Sequence, residues 1–179
     1  MTRIIAVLFF VSATIACSNS QTSQGGARSN EDLLKNIDSL EQFINKEDFT
    51  FENDTAAREL VTALITYVDQ NKKDEKSPSY LFKAAGLEKN LGNHLEAVSY
   101  FNRIWNEYPD YPRAPDALFL EALMYEEDLQ DKEKAKERYN KFLELYPESE
   151  FAEGAKQILL LIDKSPSERY EYLNEQDQN

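Results

Sequence analysis

Cysteine occurs once, at Cys17, and histidine once, at His94. One cysteine excludes an intramolecular disulfide, so the fold has to rest on packing. A lone His and a lone Cys far apart in the chain cannot supply the convergent ligands of a zinc site, and no metal or other cofactor is expected. His94 reads instead as a surface residue at a helix start. Glycine (5) and proline (6) are scarce in the 179 residues, which argues against a turn-rich all-β chain. Basic residues are in deficit, 20 against 33 acidic, for a net charge of −13. The acids interleave with apolar positions, and no Lys/Arg stripe offsets their field, so no nucleic acid is expected as a partner. No G-x-S-x-G, phosphate-binding glycine loop or H-E-x-x-H is present. The tempting Glu126-Glu127-Asp128 run points its carboxylates in different directions on a helix and reads as a solvated helix end. No catalytic residues and no enzyme activity are expected.

What is present begins with MTRIIAVLFFVSATIA, residues 1–16: Arg3, an apolar run from Ile4 to Val11, then small residues. This is the layout of a secretory signal peptide, and the run is far short of the ~20 residues a membrane-spanning helix needs. The Ala16-Cys17 junction resembles that of bacterial lipoproteins, although Thr14 stands where Leu is usual and Ile15 is bulkier than the common small residue. The resemblance implies cleavage before Cys17 and acylation of that residue, so that two or three acyl chains hold the protein on a membrane. Ser18 follows the cysteine, where Asp would favour inner-membrane retention in enteric bacteria. The implied location is therefore the periplasmic face of a bacterial outer membrane. Residues 17–29 are a polar, Gly/Ser-rich tether.

Beyond the tether, apolar residues recur at helical spacing: Leu33, Leu34, Ile37, Leu40, Phe43 and Ile44, then Ala57, Leu60, Val61, Leu64 and Val68. The periodicity predicts about seven helices, at 30–46, 54–71, 79–91, 94–108, 113–128, 131–146 and 151–163. The tail 164–179 is polar and expected to be frayed or disordered, with Tyr170, Tyr172 and Leu173 folding back over Leu160 and Leu161 as the alternative. NEYPDYPRAPDALFLEALMY at 106–125 aligns with ELYPESEFAEGAKQILLLID at 144–163, placing Pro109 and Pro147 a period of 38 residues apart. A fixed period in the range ~20–50 residues indicates stacked repeats.

LGNHLEAVSYFNRIWNEYP carries Gly92, Ala97, Phe101, Ile104 and Pro109 at the spacing of the second half of a tetratricopeptide repeat. Ala135, Tyr139, Phe142 and Pro147 follow in the next copy, with Gln130 where glycine is usual. In the first helices, Leu81, Ala84 and Ala85 are matched by Phe119, Ala122 and Leu123 at the same period. The chain thus resembles the tetratricopeptide repeat family over residues 78–163, with 30–71 at best one degenerate repeat. The type is that of bacterial outer-membrane lipoproteins, similar to the repeat lipoprotein of the β-barrel assembly machinery and the Tol-Pal coordinator protein. The resemblance implies an all-α solenoid of stacked helix hairpins over 30–163. It also implies a groove, lined by the first helix of each repeat, that binds a protein or peptide partner. Matching positions are Phe82, Gly86, Lys89 and Asn90 in one repeat, and Leu120, Met124, Glu127 and Asp128 in the next. Phe82, Leu120 and Met124 read equally well as core. Trp105 and Tyr108 read as core and convex-face residues. The function implied is a lipid-anchored scaffold for protein–protein interaction. A subunit of an envelope assembly machinery, and a non-lipidated secreted helical protein or enzyme, stay open as alternatives.

Overall fold

The computed structural model describes residues 29–46 and 54–176. The expected signal segment 1–16, Cys17 and the tether up to residue 28 lie outside the described residues. Within the described residues there are eight helices and no strand: α1 (Asn30–Ile44), α2 (Asp54–Gln70), α3 (Ser77–Asn90), α4 (His94–Glu107), α5 (Ala114–Glu127), α6 (Lys132–Leu145), α7 (Ala152–Leu161) and α8 (Pro166–Gln176). From α1 to α7 each helix packs on its successor, giving an α-solenoid of stacked antiparallel hairpins.

Short polar side chains start α1 and α6, and a left-handed residue lies in the turns after α3 and α5. Ser29 Oγ accepts from Asp32 N at 3.2 Å to start α1, and Asp131 Oδ1 accepts from Lys134 N at 3.0 Å to start α6. That backbone bond holds the Asp131 carboxyl below its ordinary range. Pro78 and Pro115 sit in the first turns of α3 and α5, where a missing N–H costs nothing. The turns inside the two clear hairpins pass through positive φ, +78° at Gly92 and +56° at Gln130.

The links between hairpins are one structure used three times. After α4, Tyr108 N donates to Ile104 O (2.9 Å), Tyr111 N to Tyr108 O (3.0 Å) and Ala114 N to Tyr111 O (2.8 Å). Tyr146, Ser149 and Ala152 repeat this elbow before α7, and Asn71, Asp74 and Ser77 repeat it before α3. The buried residues of α2, Leu60, Val61, Leu64 and Tyr67, fall on those of α4, Ala97, Val98, Phe101 and Ile104. The hairpin α1–α2 is therefore built on the same plan as the two that follow it, with Leu60 where the later copies place an alanine.

Two expectations are corrected. The first helices α3 and α5 do not align at a period of 38, although α5 and α7 do, as Ala114 and Ala152 show. Ser77, Leu81 and Ala85 are buried in α3, and their buried counterparts in α5 are Ala114, Leu118 and Ala122, each 37 residues on. The second helices keep 38, as Ala97 and Ala135 show. The extra residue falls in the turn, where three residues separate α3 from α4 and four separate α5 from α6. Leu91, Gly92 and Asn93 correspond to Leu129, Gln130 and Asp131, so Asp128 is the insertion. The amides of both Asp128 and Leu129 converge on Met124 O, at 3.0 and 2.9 Å, to absorb it.

The tail is the second correction. Residues 166–176 form α8, started by a capping box: Ser165 N donates to Glu168 Oε2 (2.7 Å) and Glu168 N to Ser165 Oγ (3.4 Å). These bonds to Ser165 hold the Glu168 carboxyl below its ordinary range. Arg169 reaches back to Lys164 O and Ile162 O at 3.2 and 3.3 Å, satisfying carbonyls at the end of α7. Tyr170 does not cover Leu160, for they are 70% and 54% exposed.

Gln130 holds a conformation that a side chain disfavours by roughly 1–2 kcal/mol. Gln130→Gly should stabilise the domain by about 1 kcal/mol, read from the urea midpoint. Gly92→Ala should destabilise it by a similar amount through the backbone alone, since a Cβ there meets nothing within 4 Å. Equal midpoints for Gln130→Gly and the parent chain would refute this account.

Candidate functional site

The first helices α1, α3 and α5 lie side by side, as two ion pairs between them show. Lys83 of α3 pairs with Glu41 of α1. Lys89 Nζ, near the end of α3, lies 3.9 Å from Asp128 Oδ2, the residue after α5. Gly86, Lys89, Asn90 and Glu127 are accessible on this face, and a Cβ at Gly86 would project into open space.

The apolar groove positions behave differently. Met124 is 1% exposed and belongs to the core, not to the groove. Phe82 is half-buried edge-to-face on Phe101, ring centroids 5.3 Å apart, with the Arg113 guanidinium 3.6 Å above its other face. Leu120 is half-buried against the core. The register correction explains the mismatch. At a period of 37 the counterpart of Phe82 is Phe119, which packs on Tyr139 (5.7 Å) and stacks on Phe151 (5.1 Å), as Phe82 packs on Phe101 and Arg113. Leu123, Glu126 and Glu127 then replace Met124, Glu127 and Asp128 as the partners of Gly86, Lys89 and Asn90. The face is polar along its exposed line, and its aromatic rings serve packing.

Asp128 and His94 are not simple surface residues. Asp128 Oδ1 lies 3.8 Å from His94 Nδ1, and both His94 Nδ1 and Asp128 Oδ2 are buried without a hydrogen-bond partner. The inserted residue thus brings a carboxylate of the second repeat to two cationic or ionisable groups of the first. Glu126 is also engaged, accepting from Tyr139 Oη at 3.1 Å. Burial, reinforced by Glu126, pushes the Tyr139 phenol well above its ordinary range.

The group that sequence reasoning missed is Glu121, 1% exposed in α5. Its Oε2 accepts from Trp105 Nε1 at 2.6 Å, and its Oε1 accepts from Arg138 Nε at 2.7 Å and Asn102 Nδ2 at 3.4 Å. One carboxylate joins α4, α5 and α6, across the boundary between two hairpins. Burial alone would lower the Arg138 pKa, but the bond to Glu121 overrides it and the guanidinium is held more firmly protonated. The signal was available: in ALFLEALMY, residues 117–125, Glu121 is the one charge inside an otherwise apolar run. Among the described residues, no group of three or more His, Cys, Asp or Glu side chains is arranged to hold a metal ion. No described helix is long and apolar enough to cross a membrane.

Glu121→Ala would leave Arg138, 21% exposed, with Glu137 as its remaining anion, and would leave Trp105 Nε1 without its acceptor. The loss should be about 3 kcal/mol, at the low end for a broken buried pair, whereas Glu121→Leu with Arg138→Met should recover most of it. Urea denaturation of the single and double variants checks both. A Glu121→Ala protein within about 1 kcal/mol of the parent would show that the network contributes little.

The tetratricopeptide repeat family model matches residues 79–111 and 116–149. The two matches start 37 residues apart and end 38 apart, the same one-residue insertion that the helices show. No curated protein matches the chain. These two segments are similar to tetratricopeptide repeats and lie within an all-helical solenoid, a stacked architecture that creates extended binding surfaces.

Proposed function

We propose that this protein is a lipid-anchored scaffold that holds a protein or peptide partner on the face formed by α3 and α5, at the periplasmic side of a bacterial outer membrane. The observation that carries the binding role is the open line over Gly86, flanked by Lys83, Lys89, Asn90 and Glu127. A side chain or backbone of a partner can approach the α3 backbone closely there, because glycine leaves no Cβ in the way. Recognition on such a face is by polar and charged contacts more than by apolar anchors, since Met124 and Phe82 are committed to packing. The anchor rests on the Ala16-Cys17 junction after the apolar run, with the polar tether behind it.

Two measurements test the two halves separately. The mature N-terminal peptide from a membrane fraction should begin at Cys17 and carry the mass of its acyl chains. Cys17→Ala should move the protein to the soluble fraction with its helical circular dichroism unchanged. An unmodified Cys17 in the soluble fraction would refute the anchor. For the binding face, Gly86→Leu should fill the open line while leaving stability unchanged or raised by about 0.5–1 kcal/mol, through improved helix propensity. Partners cross-linked by the parent chain should be lost from that variant. Retention of the same partners by Gly86→Leu would place binding elsewhere.

A further inference from the structure

The three elbows 71–77, 108–114 and 146–152 stand in a row along one edge of the solenoid, and a niche opens between each neighbouring pair. The first, of about 490 Å³, has Pro78 on one wall and Tyr108, Pro109, Tyr111 and Pro112 on the other. The second, of about 450 Å³, has Pro112 and Pro115 facing Tyr146 and Pro147. Three positions recur: Pro78 with Pro115, Tyr108 with Tyr146, and Pro109 with Pro147, whereas Ser149 and Glu150 stand where the first niche has Tyr111 and Pro112. Two niches walled by Tyr and Pro rings, one per repeat, are what an extended chain with regularly spaced rings would meet.

The charge of the edge fixes the chemistry of the occupant. Lys72 and Lys73 border the first niche together with Asp74, Glu75, Glu107 and Asp110, and the second is bordered by Asp116, Glu148 and Glu150. Acids outnumber bases at both. Glu148 and Glu150 are exposed, so a basic segment is favoured over the second niche.

From this geometry we infer that the elbow edge is a second docking surface, distinct from the α3–α5 face, for an extended proline-bearing basic segment of a partner protein. Proline-rich segments keep a preformed extended helix with three residues per turn, and they dock on aromatic-lined surfaces at low entropic cost. Tyr and Pro rings on the edge stack on the prolines, while the carboxylates of the third elbow meet the lysines.

Fluorescence anisotropy with labelled (Pro-Pro-Lys)4 and the full-length chain tests this. Saturable binding is expected, weakening with added salt. The exposed reversal Glu148→Lys with Glu150→Lys should weaken it roughly fivefold and is the deciding variant. Gly86→Leu should leave it unchanged, which separates this edge from the α3–α5 face. (Gly-Gly-Lys)4, with the same charge but no preformed helix, should bind roughly tenfold more weakly. Equal binding of the glycine peptide, loss of binding in Gly86→Leu, or no saturation up to millimolar protein would each overturn the inference.

Discussion

A two-helix hairpin cannot bury both of its apolar faces, so each hairpin depends on the next for part of its core. That dependence sets the rest of the structure. It makes Ala97 and Ala135 small and fully buried, because helix axes approach closely there. It makes the elbows alike, because each must deliver the next first helix at the same angle onto the previous hairpin. It also explains how two apolar clusters, one over α1–α3 and one over α2–α7, share Ile65, Tyr80 and Tyr100 as common partners. Packing is continuous from the first hairpin to α7, and α1–α2 joins the stack in spite of its divergent sequence.

The second helices were the legible part of the sequence. Small, aromatic and proline positions recur there at chemically constrained sites, and Ala97, Phe101, Ile104 and Pro109 point to their copies without ambiguity. The first helices were less legible. Their buried positions accept almost any apolar residue, and α5 is apolar on nearly every side, so a shift of one residue leaves the pattern intact. One inserted residue, Asp128, was then enough to move the matched groove positions from Phe119 and Leu123 to Leu120 and Met124. The insertion has no hydropathy signature. It shows only in the turn, where two amides share the carbonyl of Met124.

Glu121 and α8 were missed for a different reason. Composition assigns a carboxylate to solvent by default, yet Glu121 takes the place of Ala84 and is buried by partners from two other helices, which no local pattern reveals. Trp105 needs an acceptor for its N–H when half-buried, and Arg138 needs an anion, so one carboxylate answers both demands. The helix α8 was legible in principle, since Ser165-Pro166-Ser167-Glu168 is a capping box with proline in the first turn. The polar character of the tail outweighed that signal, and α8 forms as a capped helix with Tyr170 in solvent rather than as a lid over Leu160.

The charge excess takes on a spatial meaning once the stack is assembled. Basic residues are the minority, and several are spent between successive elements. Arg103 bridges Asp69 of α2 and Glu107 of its own helix, both at 3.0 Å, and Lys136 reaches Asp163 beyond α7 at 2.6 Å. Lys83 and Lys89 link the first helices, and Arg138 meets Glu121 inside the boundary between hairpins. Apart from the buried Arg138–Glu121 pair, these exposed pairs contribute only ~0.2–1 kcal/mol each, so they do not hold the stack together. They do relieve the repulsion that acidic helices would otherwise feel on close approach, and they leave the surplus carboxylates elsewhere. Glu127 on the α3–α5 face and Glu148 and Glu150 on the elbow edge are among those left exposed. A solenoid that ties several of its few cations between its elements leaves a net negative surface, and that field complements lysine or arginine on an approaching protein.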